Sequence, residues 1–271
     1  MSVGPFADLP ADERGSGRPV VLLHGYPLNR QIWAAQLPVL SETCRAVALD
    51  LPGYGNATGL PVPDTLSGFA EAVRASIAAR FPGPVVIIGH SFGGYIALEL
   101  MRNHPEIIDG LVLTNTRSEA DSPEAREKRM ATVRRVEDPA QGLDVEGTAQ
   151  GLVAPATWAA QGPIARTVRE IVASAPRSAV IGSLKAMAGR PDLTPVLERI
   201  RVPTLVVWGE EDQLIPPPQT RAMVARIPSS RGEGIRAAGH LPCLETPEAF
   251  NLAILELIAR LEPAPPDPES R

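Results

Sequence analysis

The stretch that decides the fold is Val85-Val86-Ile87-Ile88-Gly89-His90-Ser91-Phe92-Gly93-Gly94-Tyr95-Ile96-Ala97-Leu98. Its first four residues are apolar and β-branched, which is the composition of a buried strand, and a helical run follows at 95–101. Between them lies Gly-x-Ser-x-Gly, in which a serine on a sharp strand-to-helix turn needs small residues two positions away on each side. Gly89 and Gly93 meet that need, so the context predicts Ser91 as a nucleophile rather than part of an ordinary glycine-rich turn.

The composition is that of a folded protein built around a large core. The chain has 271 residues, of which 44% are hydrophobic and 21% charged, with a net charge of −5. A chain of this size buries roughly 70–75% of the surface of its unfolded form, which suits one α/β domain or two small ones. The absence of a basic stretch and an aromatic content of 4% argue against a nucleic-acid partner.

Cysteine usage and the N-terminus indicate where the protein resides. Cys44 and Cys243 are too few for a disulfide framework, so we expect buried or half-buried thiols in a reducing compartment. Residues 1–14 lack the pattern of a secretory signal, and no run of about 18 apolar residues exists to cross a membrane. The prediction is a cytoplasmic protein without a membrane partner.

Short apolar runs alternate with helical patterns in the first part of the chain, at 19–23, 45–50, 85–88 and 110–115. This alternation is typical of the α/β class, with a parallel sheet and helices on both faces. From 117 to 197 the sequence contains helical patterns and no convincing strand, and the sheet resumes at 202–209 and 232–238.

The interruption predicts the domain organisation. Residues 1–116 and 198–262 form the core, residues 117–197 form a helical cap over the C-terminal edge of the strands, and residues 263–271 are proline-rich and disordered. The apolar residues of the cap are expected to be mostly core, with some lining an apolar pocket. They are Leu152, Val153, Trp158, Ile164, Val168, Ile181, Leu184 and Met187.

The glycines of the 50–55 loop invite a comparison with a dinucleotide-binding fingerprint. Together with Gly59 they read G-x-G-x-x-x-G, which is one residue too long, and Pro61 and Pro63 follow where a helix should begin. No nucleotide cofactor is predicted, and no metal.

A serine nucleophile needs a histidine as its base. His24 lies where a strand meets its loop, His90 is expected to face away on the turn, and His104 reads as a surface or capping residue. His240 follows the last predicted strand, with Gly239 before it, at the functional edge of the sheet. It is the predicted base.

The base in turn needs a carboxylate to orient it. Glu210, Glu211 and Asp212 all follow the strand at 202–209 and precede the histidine. Position alone does not separate these three. Asp121 and Asp192 lie in the helical stretch and fit less well.

Five segments carry a resemblance to the α/β-hydrolase superfamily over nearly the whole chain. They are His24-Gly25-Tyr26-Pro27, Asp50-Leu51-Pro52-Gly53-Tyr54-Gly55, Gly89-His90-Ser91-Phe92-Gly93-Gly94, Gly209-Glu210-Glu211-Asp212 and Gly239-His240. The order serine, acid, histidine is that of this superfamily. The resemblance implies Asp212 as the acid of a Ser91–His240–Asp212 triad. It also implies an α/β-hydrolase fold whose mostly parallel sheet carries a helical cap inserted between two strands.

Two details follow from the resemblance. The stretch at 113–124 is similar to the branch containing 3-oxoadipate enol-lactonases and small carboxylesterases. Members of the superfamily usually have two antiparallel N-terminal strands before the His-Gly strand, and here only about 18 residues precede it, so the first strand is expected to be missing or irregular.

A tetrahedral intermediate needs two backbone N–H donors. One is expected from Phe92, directly after the nucleophile, and the other from the loop after the His-Gly strand, where the resemblance implicates Tyr26.

The predicted activity is therefore that of a serine hydrolase (EC 3.1.1 type) acting on a small-molecule carboxylic ester or lactone, without a cofactor. A serine at the turn disfavours haloalkane dehalogenases and epoxide hydrolases, which carry an aspartate there. C–C bond hydrolases and cofactor-free perhydrolases share the triad and stay open, as does a non-catalytic small-molecule receptor on the same fold.

Overall fold

A computed structural model describes residues 4–261. Within this range seven strands form one sheet, and they are β1 (Ala11–Arg14), β2 (Arg18–Leu23), β3 (Cys44–Leu49), β4 (Val85–His90), β5 (Ile108–Thr114), β6 (Thr204–Gly209) and β7 (Ser230–Ile235). Their order is β1-β3-β2-β4-β5-β6-β7, and all neighbours are parallel except β1 and β3. The predicted α/β class with a mostly parallel sheet is confirmed.

The central strands read as continuous apolar runs because both of their faces are covered. Val21 and Ile87, which are paired across β2 and β4, belong to the apolar core on one face of the sheet. Their neighbours Val20 and Val86 belong to the core on the other face. Burial on both sides is the situation that parallel strands with flanking helices require.

Twelve α-helices accompany the strands within the described residues. They are α1 (Gln36–Leu40), α2 (Leu66–Arg80), α3 (Phe92–Asn103), α4 (Pro123–Glu137), α5 (Val145–Gly151), α6 (Pro155–Ala159), α7 (Pro163–Ala173), α8 (Arg177–Gly189), α9 (Thr194–Leu197), α10 (Pro217–Val224), α11 (Pro242–Glu245) and α12 (Pro247–Ile258). Side chains cap several N-termini: Thr65 accepts from the Gly68 N–H, and Ser122 from that of Ala125. None of these helices is long and apolar enough to cross a membrane.

The strand order places a crevice at the centre of the sheet. The chain leaves β2 for β3 on one side and later continues through β4 on the other. Loops that leave two adjacent parallel strands in opposite directions open a crevice at the strands' carboxyl ends. The loop that begins at His24 and the turn at Ser91 flank this crevice.

Residues 117–197, all of them described, contain helices α4 to α9 and no strand, and they separate β5 from β6. We call this segment the insert. Within it α4 packs against α8, and α5 packs against α7. The absence of strands was predicted. The predicted tail at 263–271 lies outside the described residues.

Residues 30–40 form a 3-10 turn at Arg30–Trp33 followed by α1, and Asn29 caps the first turn by accepting from the Gln31 N–H. Two local predictions need correction. The last strand ends at Ile235 rather than 238, since Ala237 has a left-handed φ of 53°. The N-terminal region does form a strand: the short, mostly exposed β1 pairs with β3 in antiparallel register.

Candidate active site

Ser91 lies on a strained turn between the last residue of β4 and the first residue of α3. Its φ of 51° and ψ of −110° lie outside the regions that L-residues prefer. A Cβ on Gly93 would lie 2.4 Å from the Leu23 carbonyl oxygen, and one on Gly89 would lie 2.6 Å from the Gly93 oxygen. Both glycines are therefore required by close backbone approach, which is the reason the motif has this spacing.

His240 and Asp212 form a hydrogen-bonded pair beside this turn. The His240 Nδ1 lies 2.8 Å from Asp212 Oδ2, and both side chains are buried. An ionised carboxylate only accepts, so Nδ1 donates and the lone pair of the neutral ring is on Nε2. Ser91 and His240 line the same cavity, and no hydrogen bond joins their side chains among those of residues 4–261. In enzymes without a ligand such contacts are often long and tighten on substrate binding.

The structure separates the three carboxylates that follow β6. Glu210 and Glu211 are exposed, and Glu210 accepts from Trp208 Nε1 at 2.9 Å. Asp212 is buried and is the member of the group that contacts His240. The aspartate implied by the resemblance is thus the one in position to orient the base.

Asp212 is held by donors on every side. The N–H groups of Leu214 and Ile215 donate to Oδ1 at 2.9 and 3.0 Å, and Asn115 Nδ2 donates to Oδ2 at 2.8 Å. Burial opposes the charged form, but the charge and hydrogen bond of His240, together with these donors, outweigh it and lower the pKa of Asp212. The carboxylate therefore stays ionised at neutral pH.

Asn115 is a site residue that the sequence analysis did not identify. It directly follows β5 and has a φ of 48°, a conformation that asparagine tolerates better than most residues. Its amide donates both to Asp212 and to the Gly239 carbonyl, at 3.1 Å for the latter. An asparagine at the end of a strand was the available signal, but only the fold shows which residues it reaches.

His90 also has a role that the sequence did not indicate. Its Nε2 lies 2.7 Å from the His240 carbonyl oxygen, and the two imidazole centroids are 4.8 Å apart. Burial and the adjacent His240 lower the pKa of His90 to about 3, so the ring is neutral and its Nε2–H is the donor. The residue expected to face away from the reaction therefore holds the backbone of the predicted base.

The other two histidines lie apart from this pair. His24 is buried, and its Nε2 accepts from the Leu51 N–H at 3.0 Å, which ties the loop after β2 to the loop after β3. Burial lowers the pKa of His24, so it remains neutral there. His104 is hydrogen-bonded to Glu71 at 2.7 Å on the outer side of α2 and α3, in keeping with its predicted surface position.

Tyr26 and Phe92 are the residues predicted to supply the two backbone donors. Tyr26 lies in the loop after β2 and lines the cavity with Ser91, and Phe92 is the first residue of α3. Among residues 4–261 neither backbone N–H is hydrogen-bonded to a protein acceptor. A backbone N–H group without a protein acceptor can donate to an oxyanion, and the assignment of these two groups to that role stays a prediction.

Glu245 connects the base to the insert. Its Oε1 accepts from the Gly239 N–H at 2.8 Å, and its Oε2 accepts from the Ala154 N–H at 2.7 Å and from Thr157 Oγ1 at 2.8 Å. Burial raises the pKa of Glu245 in spite of these donors. One carboxylate therefore links the loop that carries His240 to α6.

The cavity has a volume of about 460 Å³ and lies between the strand ends and the insert. The predicted apolar lining is only partly correct. The insert does supply Leu152, Leu184 and Met187. The cavity wall also includes cationic side chains, which the sequence analysis did not expect: Arg117, Lys128, Arg129 and Arg135. Asp121, one of the less favoured acid candidates, contacts these arginines and not a histidine: it accepts hydrogen bonds from Arg117 and Arg129.

The sheet, the glycine-flanked serine and the histidine–carboxylate pair define a hydrolase architecture. The profile of the alpha/beta hydrolase family matches residues 20–253, and the chain belongs to this family. The predicted superfamily is confirmed.

Comparisons with individual proteins support a hydrolase of esterase type. A pimeloyl-[acyl-carrier protein] methyl ester esterase of Neisseria meningitidis is 32% identical over 240 residues, covering 85% of this chain and 73% of the relative. A thermophilic esterase from Thermogutta terrifontis, solved with malate bound, is 34% identical with a TM-score of 0.88, covering 93% of both chains. The enol-lactonase of Burkholderia xenovorans LB400, at 21% identity and a TM-score of 0.84, covering 93% of this chain and 96% of that chain, shows the shared fold alone.

Both cysteines are buried free thiols, as predicted. Among residues 4–261 no group of three or more His, Cys, Asp or Glu side chains is arranged to hold a metal ion.

Proposed function

We propose that the protein is a serine hydrolase of small carboxylic esters, with Ser91 as nucleophile, His240 as base and Asp212 as the acid that orients it. The observation that carries the proposal is the 2.8 Å bond between His240 and Asp212 at the wall of the cavity that also contains the strained Ser91. The esterase relatives support the same class of reaction.

In the proposed reaction Ser91 Oγ attacks the ester carbonyl while His240 Nε2 takes its proton. The imidazolium that forms is stabilised by Asp212 and then delivers the proton to the departing alkoxide, which leaves as an alcohol. Water attacks the acyl-enzyme by the same route, giving the carboxylic acid and restoring Ser91. The N–H groups of Tyr26 and Phe92 are proposed to hold the oxyanion in both steps, a contribution of about 10²–10³ in rate for one donor.

The insert is proposed to act as the cap of this site. Its helices α4, α5 and α8 contribute side chains to the cavity wall. Because most residues of the cavity wall belong to the insert, we expect residues 117–197 to influence which acyl or alkyl group fits. The same arrangement supports the proposed division into a core of residues 1–116 and 198–262 and a cap.

A fluorophosphonate probe tests the mechanism. We expect covalent labelling of the wild type and none of Ser91→Ala, which should also lose hydrolysis of p-nitrophenyl butyrate by more than 10³-fold with an unchanged melting temperature. Ser229→Ala, at an exposed position, is the matched control and should keep both the covalent labelling and the ester hydrolysis of the wild type. Retention of ester hydrolysis in Ser91→Ala would exclude the proposal.

The alternatives give different results in the same experiment. A lactonase would label at Ser91 and prefer cyclic esters in a substrate panel. A C–C bond hydrolase or a cofactor-free perhydrolase would also label, but would show weak turnover of simple esters. A non-catalytic receptor would neither label nor turn over any of them.

A further inference from the structure

The charge of the cavity is opposite to the charge of the protein. The chain has a net charge of −5. Of the twenty residues that line the cavity, four are lysine or arginine and none is aspartate or glutamate. A cationic wall in an anionic protein indicates a ligand that carries negative charge.

One face of α4 supplies most of this charge. The helix residues that reach the cavity recur at intervals of three or four, which places them on a single face, and they are Ala125, Lys128, Arg129, Thr132 and Arg135. The exposed charged residues of α4 that do not line the cavity are Glu124, Arg126, Glu127, Arg134 and Glu137, and Arg134 pairs with Glu127. The helix thus presents a cationic face inward and a mixed face to solvent.

Part of the inward charge is balanced within the protein. Asp121, whose side chain is 1% exposed, accepts from Arg117, Arg129 and the buried Arg190 at 2.6 to 2.9 Å. Burial of Asp121 opposes its ionisation, but the arginines outweigh burial and lower the pKa of Asp121. One carboxylate facing three guanidinium groups leaves the group with an excess of positive charge.

The positive charge of Arg135 is not paired with a carboxylate of the protein in this way. None of the ion pairs among residues 4–261 includes Arg135, and its Nε is buried without an acceptor. Arg135 and Tyr26 line the same cavity. Burial raises the pKa of the Tyr26 phenol, and the charges of Arg129 and Arg135 partly oppose that effect. A buried donor without an acceptor carries a desolvation cost, which a carboxylate bound in the cavity would relieve.

We propose that the cavity binds esters whose acyl chain ends in a carboxylate, that is half-esters of dicarboxylic acids, and that Arg135 receives this carboxylate. The inference rests on the proposed esterase function. A planar guanidinium can hold a carboxylate through two parallel hydrogen bonds, which a lysine cannot do. The distal carboxylate takes no part in the reaction: water and the half-ester give the alcohol, the dicarboxylate and one proton.

The test compares monomethyl esters of diacids of four to eight carbons with methyl esters of the corresponding monoacids. Methanol release gives kcat/KM for each member of a pair. We expect the wild type to prefer the half-ester by at least tenfold for one chain length. Arg135→Gln should lower the ratio of the two kcat/KM values by ten- to a hundredfold, mainly through the KM of the half-ester.

Two variants control this experiment. Arg126→Gln removes the same charge from the exposed face of α4 and should leave kcat/KM unchanged for both the half-ester and the neutral ester. Arg135→Lys keeps the charge but not the paired geometry, and we expect an intermediate ratio. It also replaces Arg135→Gln as the test if that variant does not fold.

The outcomes separate the two proposals. If Ser91→Ala keeps full methyl-ester hydrolysis, the proposed function fails. If the wild type hydrolyses the neutral esters and shows no preference for any half-ester, or if Arg135→Gln and Arg126→Gln give the same ratio, the function stands and the carboxylate site is wrong. Calorimetric titration of the half-ester into Ser91→Ala measures binding without turnover, and equal affinity after adding Arg135→Gln would also overturn the inference.

Discussion

Replacing Asn115 with glycine tests how the acid of the site is held. The substitution removes an amide that donates to Asp212 at 2.8 Å and to the Gly239 carbonyl at 3.1 Å. A hydrogen bond to a charged group contributes about 1.5–3 kcal/mol. Asp212 keeps three donors, from His240 and two backbone N–H groups, so we expect the lower end of that range. If most of it is expressed in the transition state, kcat/KM falls by roughly tenfold.

Comparison with Asn115→Ala separates this bond from the strain of the backbone. The φ of 48° suits glycine, whereas alanine costs about 1–2 kcal/mol in the left-handed region. Both variants lose the amide, so their activities per folded molecule should be similar. Asn115→Ala should be less stable than Asn115→Gly by roughly 1 kcal/mol, or about 2–4 °C in melting temperature.

Hydrolysis of p-nitrophenyl butyrate and urea unfolding followed by circular dichroism provide the two measurements. Wild-type activity in Asn115→Gly would show that the amide does not position Asp212 for catalysis. Equal stability of the glycine and alanine variants would show that the left-handed conformation carries no strain. Either result would refute the corresponding half of the reasoning.

Three further outcomes are expected. Gly93→Ala should destabilise the protein by more than 2 kcal/mol in urea unfolding, because its Cβ would lie 2.4 Å from a backbone oxygen of β2, whereas Gly59→Ala, with no atom within 4 Å, should change stability by less than about 0.5 kcal/mol. His90→Phe keeps an aromatic ring but loses the donor to the His240 carbonyl; activity should fall about three- to tenfold with little change in KM, and an unchanged kcat would argue against a positioning role. The lowered pKa of Asp212 predicts that its contribution to stability is complete above pH ~4, near the unfolded value, and is lost as the pH falls through the folded pKa. In Asp212→Asn the free energy of unfolding should therefore depend less steeply on pH in the acid range. The same pH dependence as in the wild type would contradict the prediction.

The sequence was most informative where a short segment determines its own structure. The turn at Ser91 was predictable because a strand, two required glycines and a helix follow one another within fourteen residues. The position of His240 after a strand, with Gly239 before it, was the basis for predicting that histidine as the base. Asp212 required the resemblance, since nothing in the sequence shows that Glu210 and Glu211 remain exposed.

Features that depend on distant contacts could not be predicted. Asn115 reaches Asp212 across 97 positions, and His90 reaches the His240 carbonyl across 150. The spacing of charged residues on α4 indicates a helix, but it does not show which face points toward solvent. The cationic wall containing Arg135 becomes visible only when α4 is placed over the strand ends.

The carboxylate of Glu245 has a consequence for how the site can be enlarged. The Glu245 carboxylate accepts from the N–H groups of both Gly239 and Ala154. The segment around α6 therefore cannot move outward without displacing the peptide next to His240. Widening the pocket for bulkier acyl groups should therefore succeed through trimmed side chains on α4 or α8, such as Leu184. Changes near Thr157 would instead disturb the alignment of His240, the proposed base, so the two sides of the insert are unequal targets for engineering.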